Sequence, residues 1–193
     1  MASSDELKWK STALLVIDMQ KDFIVSGSPT AVKGGEAIVP NVIKAVHIAR
    51  SRRIPVIWVV RERRHWYSAT AAADKPKPPA CKGSVGTELV DGLVIKDDDY
   101  KLVKTRFSAF LNTHLHSYLQ GTGIHNLVIT GVQTPNCIRQ TVFDAISMDY
   151  RTVTVIVDAT AAATPDIHLA NIIDMKNVGV ETPTLEDWSK ADS

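Results

Sequence analysis

Short unbroken apolar runs alternate along this chain with longer stretches in which apolar positions return every three or four residues. An unbroken run predicts a strand covered on both faces, and three-to-four spacing predicts a helix with one buried stripe. Thr12–Ile17 is the first such run and ends at Asp18. Across 38–50, Val39, Val42, Ile43, Val46 and Ala49 recur at helical spacing, with Pro40 expected in the first turn, where proline is tolerated. The run at 55–60 predicts a second strand, so strand, helix and strand follow in order and imply a parallel, right-handed βαβ unit.

Periodicity fails over 61–99. Arg63, Arg64, His65 and Trp66 precede an alanine cluster and a proline-rich stretch, which predicts a long loop or lid. Order resumes with a strand at Tyr100–Lys104, then a helix carrying Leu111, Leu115 and Leu119 ahead of Gly121 and Gly123. A strand at 127–130 breaks at Gly131, and a helix is expected over 137–148 with Val142, Ala145 and Ile146 inward. A strand at 152–157 follows, then a helix opened by Thr164, Pro165 and Asp166. A last short strand is expected at 178–180. The fold class is therefore α/β: a single domain over 1–193 with a doubly wound, mainly parallel sheet of five or six strands and helices on both faces. Ligands on such sheets bind beyond the carboxyl ends of the strands.

Composition narrows the function. The 193 residues are 45% apolar and 22% charged, ordinary for a globular domain. A net charge of +1 cannot supply the broad positive field that nucleic acid requires. No run is long enough to span a membrane, and the polar start lacks the apolar core of a secretion signal, so a cytoplasmic location is expected. Cys81 and Cys137 are read as free thiols.

Three residues share one topological place: Asp18 ends the first strand, Lys104 ends the strand after the loop, and Cys137 opens the helix after Gly131. A thiol attacks a carbonyl carbon as thiolate, and a helix N-terminus with a nearby ammonium lowers its pKa, so Cys137 is expected to be a low-pKa nucleophile. A carboxylate can take the thiol proton and return it to a departing nitrogen, which suits Asp18. Lys104 would hold that carboxylate in place. The sharp turn at 131–136 offers backbone N–H donors to a tetrahedral oxyanion.

Three motifs carry a wider resemblance: Leu14-Leu15-Val16-Ile17-Asp18-Met19-Gln20-Lys21-Asp22-Phe23, Lys104-Thr105-Arg106-Phe107-Ser108-Ala109-Phe110, and Gly131-Val132-Gln133-Thr134-Pro135-Asn136-Cys137. Together they resemble the isochorismatase-like or cysteine hydrolases, which include nicotinamidases, carbamoylsarcosine amidases and ureidoacrylate amidohydrolases. The resemblance implies Asp18 as general base, Lys104 as its cationic partner, Cys137 as nucleophile and Phe23 as a pocket wall. It also implies a cis peptide between Val132 and Gln133, with the N–H groups of Gln133 and Cys137 forming the oxyanion hole. Family analogy implies a homo-oligomer, a dimer or tetramer. Gln133 and Pro135 depart from the family's commoner small or acidic choices, which bears on the substrate.

A further departure concerns metal. Nicotinamidases carry an Asp-x-His metal motif after the second strand, where this chain has Arg61-Glu62-Arg63-Arg64-His65. A metal-free member is therefore expected, with no cofactor. His114 and His116 are two apart on a helix, face different directions and are read as surface residues.

The leading expectation is hydrolysis of a linear amide or ureido C–N bond in a small molecule through a Cys137 thioester. Isochorismate vinyl-ether hydrolysis is the alternative within the fold, but it leaves Cys137 without a task. A non-catalytic binding or redox-sensing module is the alternative outside enzymes. Because Arg61, Arg63, Arg64 and Arg106 sit near strand ends or in the loop, the substrate is expected to carry an anionic group gripped by a guanidinium, with Arg61 and Arg106 as candidates.

Overall fold

The computed structural model describes residues 9–28, 30–63 and 79–190. Five parallel strands form one sheet: β1 (Thr12–Ile17), β2 (Val56–Arg61), β3 (Tyr100–Lys104), β4 (Asn126–Val132) and β5 (Thr152–Ala161), in the order β3-β2-β1-β4-β5. Helix α1 (Lys21–Ile24) is a single turn after β1, and α2 (Gly35–Ser51) connects to β2. Helices α3 (Leu115–Gly121), α4 (Arg139–Ser147), α5 (Pro165–Asn177) and α6 (Leu185–Lys190) complete the order.

β1 shows why its run is unbroken. Leu14 and Val16 enter a core with Val42, Val46, Ala49 and Trp188, whereas Ala13, Leu15 and Ile17 enter another with Leu115, Leu119, Val142 and Met175. Successive strand side chains point to opposite faces, so a strand clad on both sides must be apolar at every position. Helices α2 and α6 cover one face, and α3, α4 and α5 cover the other.

Several expectations change. The strand at 178–180 is absent: Val178 is exposed, Gly179 has φ +92°, and the pairing with β5 comes later, where Glu181 and Pro183 exchange backbone hydrogen bonds with Val153, Val155 and Val157. α2 begins three residues before the apolar pattern, so Pro40 lies inside the helix rather than in its first turn. Leu111 is 50% exposed and precedes α3, because the segment before His114 follows its own turn-rich path. The helix expected from Cys137 opens instead as a wide, π-type turn over Thr134–Ile138 before α4. β5 runs on to Ala161 past a register shift opposite Ile129 and Gly131. Of the expected 61–99 loop, residues 64–78, with Arg64, His65 and Trp66, lie outside the described residues. The rest includes a short 3-10 turn, Val85–Thr87, and an antiparallel bridge from Leu89 to Gln20.

Candidate active site

The sheet order changes direction beside β1, and the crevice beyond β1 and β4 is where such a fold leaves room for a ligand. Asp18 leaves the carboxyl end of β1 with φ 53°, a left-handed conformation that aspartate tolerates better than most residues. Its N–H donates to the Val59 carbonyl at 2.8 Å, which ties the bend to β2. Opposite, Ile17 pairs with Gly131, which has φ +112°. A Cβ at Gly131 would stand 2.0 Å from the Ile17 carbonyl oxygen, so only glycine lets β4 pass this close.

The three sequence-predicted residues meet. Lys104 is 1% exposed, and its ammonium donates to Asp18 Oδ2 at 2.8 Å, the Arg106 carbonyl at 3.1 Å and Cys137 Sγ at 3.4 Å. All three of its protons are thereby occupied. Asp18 and Cys137 are also buried, and Asp18 Oδ1 has no hydrogen-bond partner among the described residues.

The electrostatics differ from the sequence expectation. Cys137 is not a low-pKa thiol: burial and the charge of the Asp18 carboxylate push it up to about 12. Lys104 and Arg61 pull the other way and are outweighed. The resting site therefore holds a neutral thiol against a carboxylate, and thiolate must be made by proton transfer.

The peptide between Val132 and Gln133 is cis, as the resemblance implies. The Gln133 carbonyl accepts from Asn136 N at 3.1 Å and Ile138 N at 3.2 Å, which curls the turn around Cys137. Gln133, Asn136 and Cys137 line a cavity of about 40 Å³ with Asp18, Phe23, Arg61, Phe107 and Val132. Phe23 and Arg61 therefore reach the cavity. Arg106 does not line it; its side chain is exposed, and it contributes its carbonyl to Lys104. The Arg61 guanidinium lies 5.0 Å over the Phe107 ring, and its buried Nε has no partner among the described residues. A larger cavity, about 430 Å³, lies at the amino ends of the strands near Trp9, Thr12, Asn126 and Trp188, away from every predicted residue.

Other motif residues prove to hold the site rather than enter it. The buried Gln20 amide clamps the end of β2: Arg61 N donates to Oε1 at 2.7 Å, while Nε2 donates to Arg61 O at 3.0 Å and Thr87 O at 2.9 Å. Asp22 accepts from Ala80 N at 2.7 Å. Ser108 is hydrogen-bonded to Asp144 of α4, and Thr141 Oγ1 accepts from Ala109 N and donates to the Cys137 carbonyl, which joins the Lys104 segment to the Cys137 turn. Sequence reading quoted Gln20, Asp22 and Ser108 inside motifs without assigning them work; a polar residue beside a buried strand end was the available signal.

Among the described residues no three His, Cys, Asp or Glu side chains gather as a metal site, and His65 lies outside them. His114 is hydrogen-bonded to the Tyr100 hydroxyl, and His116 Nδ1 lies 3.2 Å from the Tyr150 hydroxyl. Among the described residues no helix is long and apolar enough to cross a membrane.

Comparison with known proteins shows the family and the fold. A family model described as Isochorismatase domain matches residues 12–187. A protein of Arabidopsis thaliana named "Probable inactive nicotinamidase" is 63% identical over 195 residues, spanning 95% of this chain and 97% of its own. The ureidoacrylate amidohydrolase RutB of Caulobacter vibrioides is 33% identical over 180 residues, spanning 81% of this chain and 80% of its own. The crystal structure of an isochorismatase family protein from Desulfovibrio vulgaris subsp. vulgaris str. Hildenborough matches with a TM-score of 0.87 at 35% identity, covering 94% of this chain and 97% of that one.

Proposed function

Because this chain belongs to the isochorismatase family of hydrolases, we propose that it hydrolyses a linear amide or ureido C–N bond of a small molecule through a thioester on Cys137. The observation that carries this reading is the buried cluster in which Lys104 Nζ stands 2.8 Å from Asp18 Oδ2 and 3.4 Å from Cys137 Sγ.

The reaction proceeds in two halves. As the substrate carbonyl meets Sγ, Asp18 takes the thiol proton and sulfur bonds to carbon. The oxyanion is met by the N–H groups of Gln133 and Cys137. Asp18 returns the proton to the departing nitrogen, the C–N bond breaks and ammonia or an amine leaves. Water then attacks the thioester, Asp18 takes its proton, and collapse releases the acid and restores the thiol. Lys104 stays protonated throughout and stabilises each anionic state.

Arg61 supports an anionic group on the substrate, because its buried Nε has no partner among the described residues and such a nitrogen is expensive unless a ligand completes it. Phe107, 41% exposed, must move for any occupant larger than a few waters, given a cavity of about 40 Å³. The name of the Arabidopsis relative concerns nicotinamide, a neutral amide, and does not speak against an acidic substrate. Exposed Leu169 and Ile173 on α5 fit the expected homo-oligomer, which light scattering tests.

The test is a panel of ureido acids, carboxamides and isochorismate, each assayed for ammonia and product release with wild type and Cys137→Ala. Cys137-dependent C–N hydrolysis is expected; wild-type rates in the alanine variant, or vinyl-ether cleavage alone, would overturn the reading. With the substrate in hand, Arg61→Met should raise KM for acidic members while leaving kcat nearly unchanged.

A further inference from the structure

The turn that carries the oxyanion donors is braced from outside the active site. Thr134 sits between Gln133 and Cys137, is 0% exposed, and its Oγ1 lies 2.8 Å from His168 Nδ1 on α5. His168 is itself placed by the first turn of that helix, where its N–H donates to the Thr164 carbonyl at 3.1 Å. Thr164 caps the helix by accepting from Ile167 N at 3.3 Å. A threonine hydroxyl can donate to or accept from an imidazole nitrogen, so this contact holds in either neutral tautomer. Burial lowers the imidazole below its usual range, which keeps the ring neutral near neutral pH. Arg139 on α4 pairs with Asp174 on α5, which ties the two helices together.

We propose that His168 is a positioning residue that fixes the oxyanion turn by holding the Thr134 hydroxyl, so that the Gln133 and Cys137 N–H groups stay aimed at the reacting oxygen. The inference rests on the thioester reading above. The Gln133 carbonyl fixes the inner side of the turn through Asn136 and Ile138, and Thr134 with His168 fixes the outer side. Loss of the outer brace should leave the thiol where it is and loosen the donors, which costs only reactions that develop an oxyanion.

Two reagents separate these effects without knowledge of the natural substrate. p-Nitrophenyl acetate acylates the thiol through a tetrahedral oxyanion: sulfur bonds to the acyl carbon, p-nitrophenolate leaves and Asp18 takes the thiol proton. Iodoacetamide alkylates the same sulfur by displacing iodide and develops no oxyanion. In His168→Ala and Thr134→Val, acylation of Cys137, located by peptide mapping, should slow roughly tenfold while alkylation changes less than about twofold. The double variant should be no slower than the slower single, and His168→Asn, which keeps an acceptor near the Nδ1 position, should recover most of the rate. Wild-type acylation in His168→Ala, an equal fall in both reactions, or no recovery in the asparagine variant overturns the proposal. Failure of p-nitrophenyl acetate to acylate wild-type Cys137 while iodoacetamide labels it would instead sink the thioester reading itself, and the inference with it.

Discussion

Replacing Asp18 by Asn should make the thiol more reactive and the enzyme inactive. Asparagine suits the site, since it accepts φ near 53° and keeps an oxygen for Lys104. In the wild type the thiol stands at about 12; at pH 8 roughly one molecule in ten thousand is thiolate. Burial raises it most, and the charge of Asp18 comes next. An adjacent unit charge at an effective dielectric of about 20 contributes up to about 4 kcal/mol, or about three pH units. Intrinsic nucleophilicity falls about half as fast as basicity, so the net gain on removing the charge is roughly ten- to fiftyfold in alkylation rate. Hydrolysis should fall by about 10² to 10⁴, because no other group takes the proton.

The assay is iodoacetamide labelling of Cys137 by peptide mass spectrometry from pH 7 to 11, alongside turnover of a substrate from the panel. The sign is fixed by the raised thiol: ionisation is unfavourable below the folded value, so wild-type labelling should still climb past pH 10, and the asparagine profile should shift to lower pH. Thermal melting of both proteins checks that the fold is intact. If Asp18→Asn slows labelling, or if turnover survives, the assignment of Asp18 as a base that keeps the thiol protonated is wrong.

Gly131→Ala places a Cβ 2.0 Å from the Ile17 carbonyl oxygen at φ +112°. It should cost roughly 3 kcal/mol or more and lower Tm by about 6 to 12 °C, as calorimetry would show; an unchanged Tm refutes the close-approach argument. Gln20→Leu removes three hydrogen bonds at the end of β2 and leaves Arg61 N and two carbonyls unmet, so a loss of about 2 to 4 kcal/mol in denaturant unfolding is expected, with KM rising more than kcat falls. Turnover should persist through prolonged chelation, since thiol attack needs no Lewis acid; stoichiometric metal by mass spectrometry, with activity lost on its removal and restored on its return, would reverse that expectation.

What the sequence discloses follows from how each feature is encoded. β1, β2, β4 and most of β5 are buried on both faces and leave unbroken apolar runs, whereas β3, at the sheet edge, alternates exposed Lys101 and Val103 with buried Leu102 and Lys104. Residues 178–180 imitate a strand briefly, but β-branched composition cannot reveal that Gly179 turns the chain and moves the pairing with β5 to Glu181 and Pro183. Asp18, Lys104 and Cys137 are legible because each closes or follows a strand, and parallel register then brings them to one edge of the sheet. Gln20, Ser108 and His168 are not, because their partners are 67, 36 and 34 residues away and nothing local names them.

The thiol's protonation was legible least of all, and the reason bears on the proposed reaction. Spacing shows that a cation is near Cys137 but not how that cation is shared. Lys104 points its shortest hydrogen bond, 2.8 Å, at Asp18 and its longest, 3.4 Å, at sulfur. Its charge is thus committed chiefly to the carboxylate, and burial with that carboxylate decides the thiol. A neutral thiol is protected from adventitious alkylation and oxidation, both of which need thiolate. Reactivity then has to arrive with the substrate, whose carbonyl offers sulfur a bond to carbon at the moment Asp18 takes the proton. On this account selectivity is set at proton transfer, and the donors of the Gln133 turn must already be aimed when it occurs.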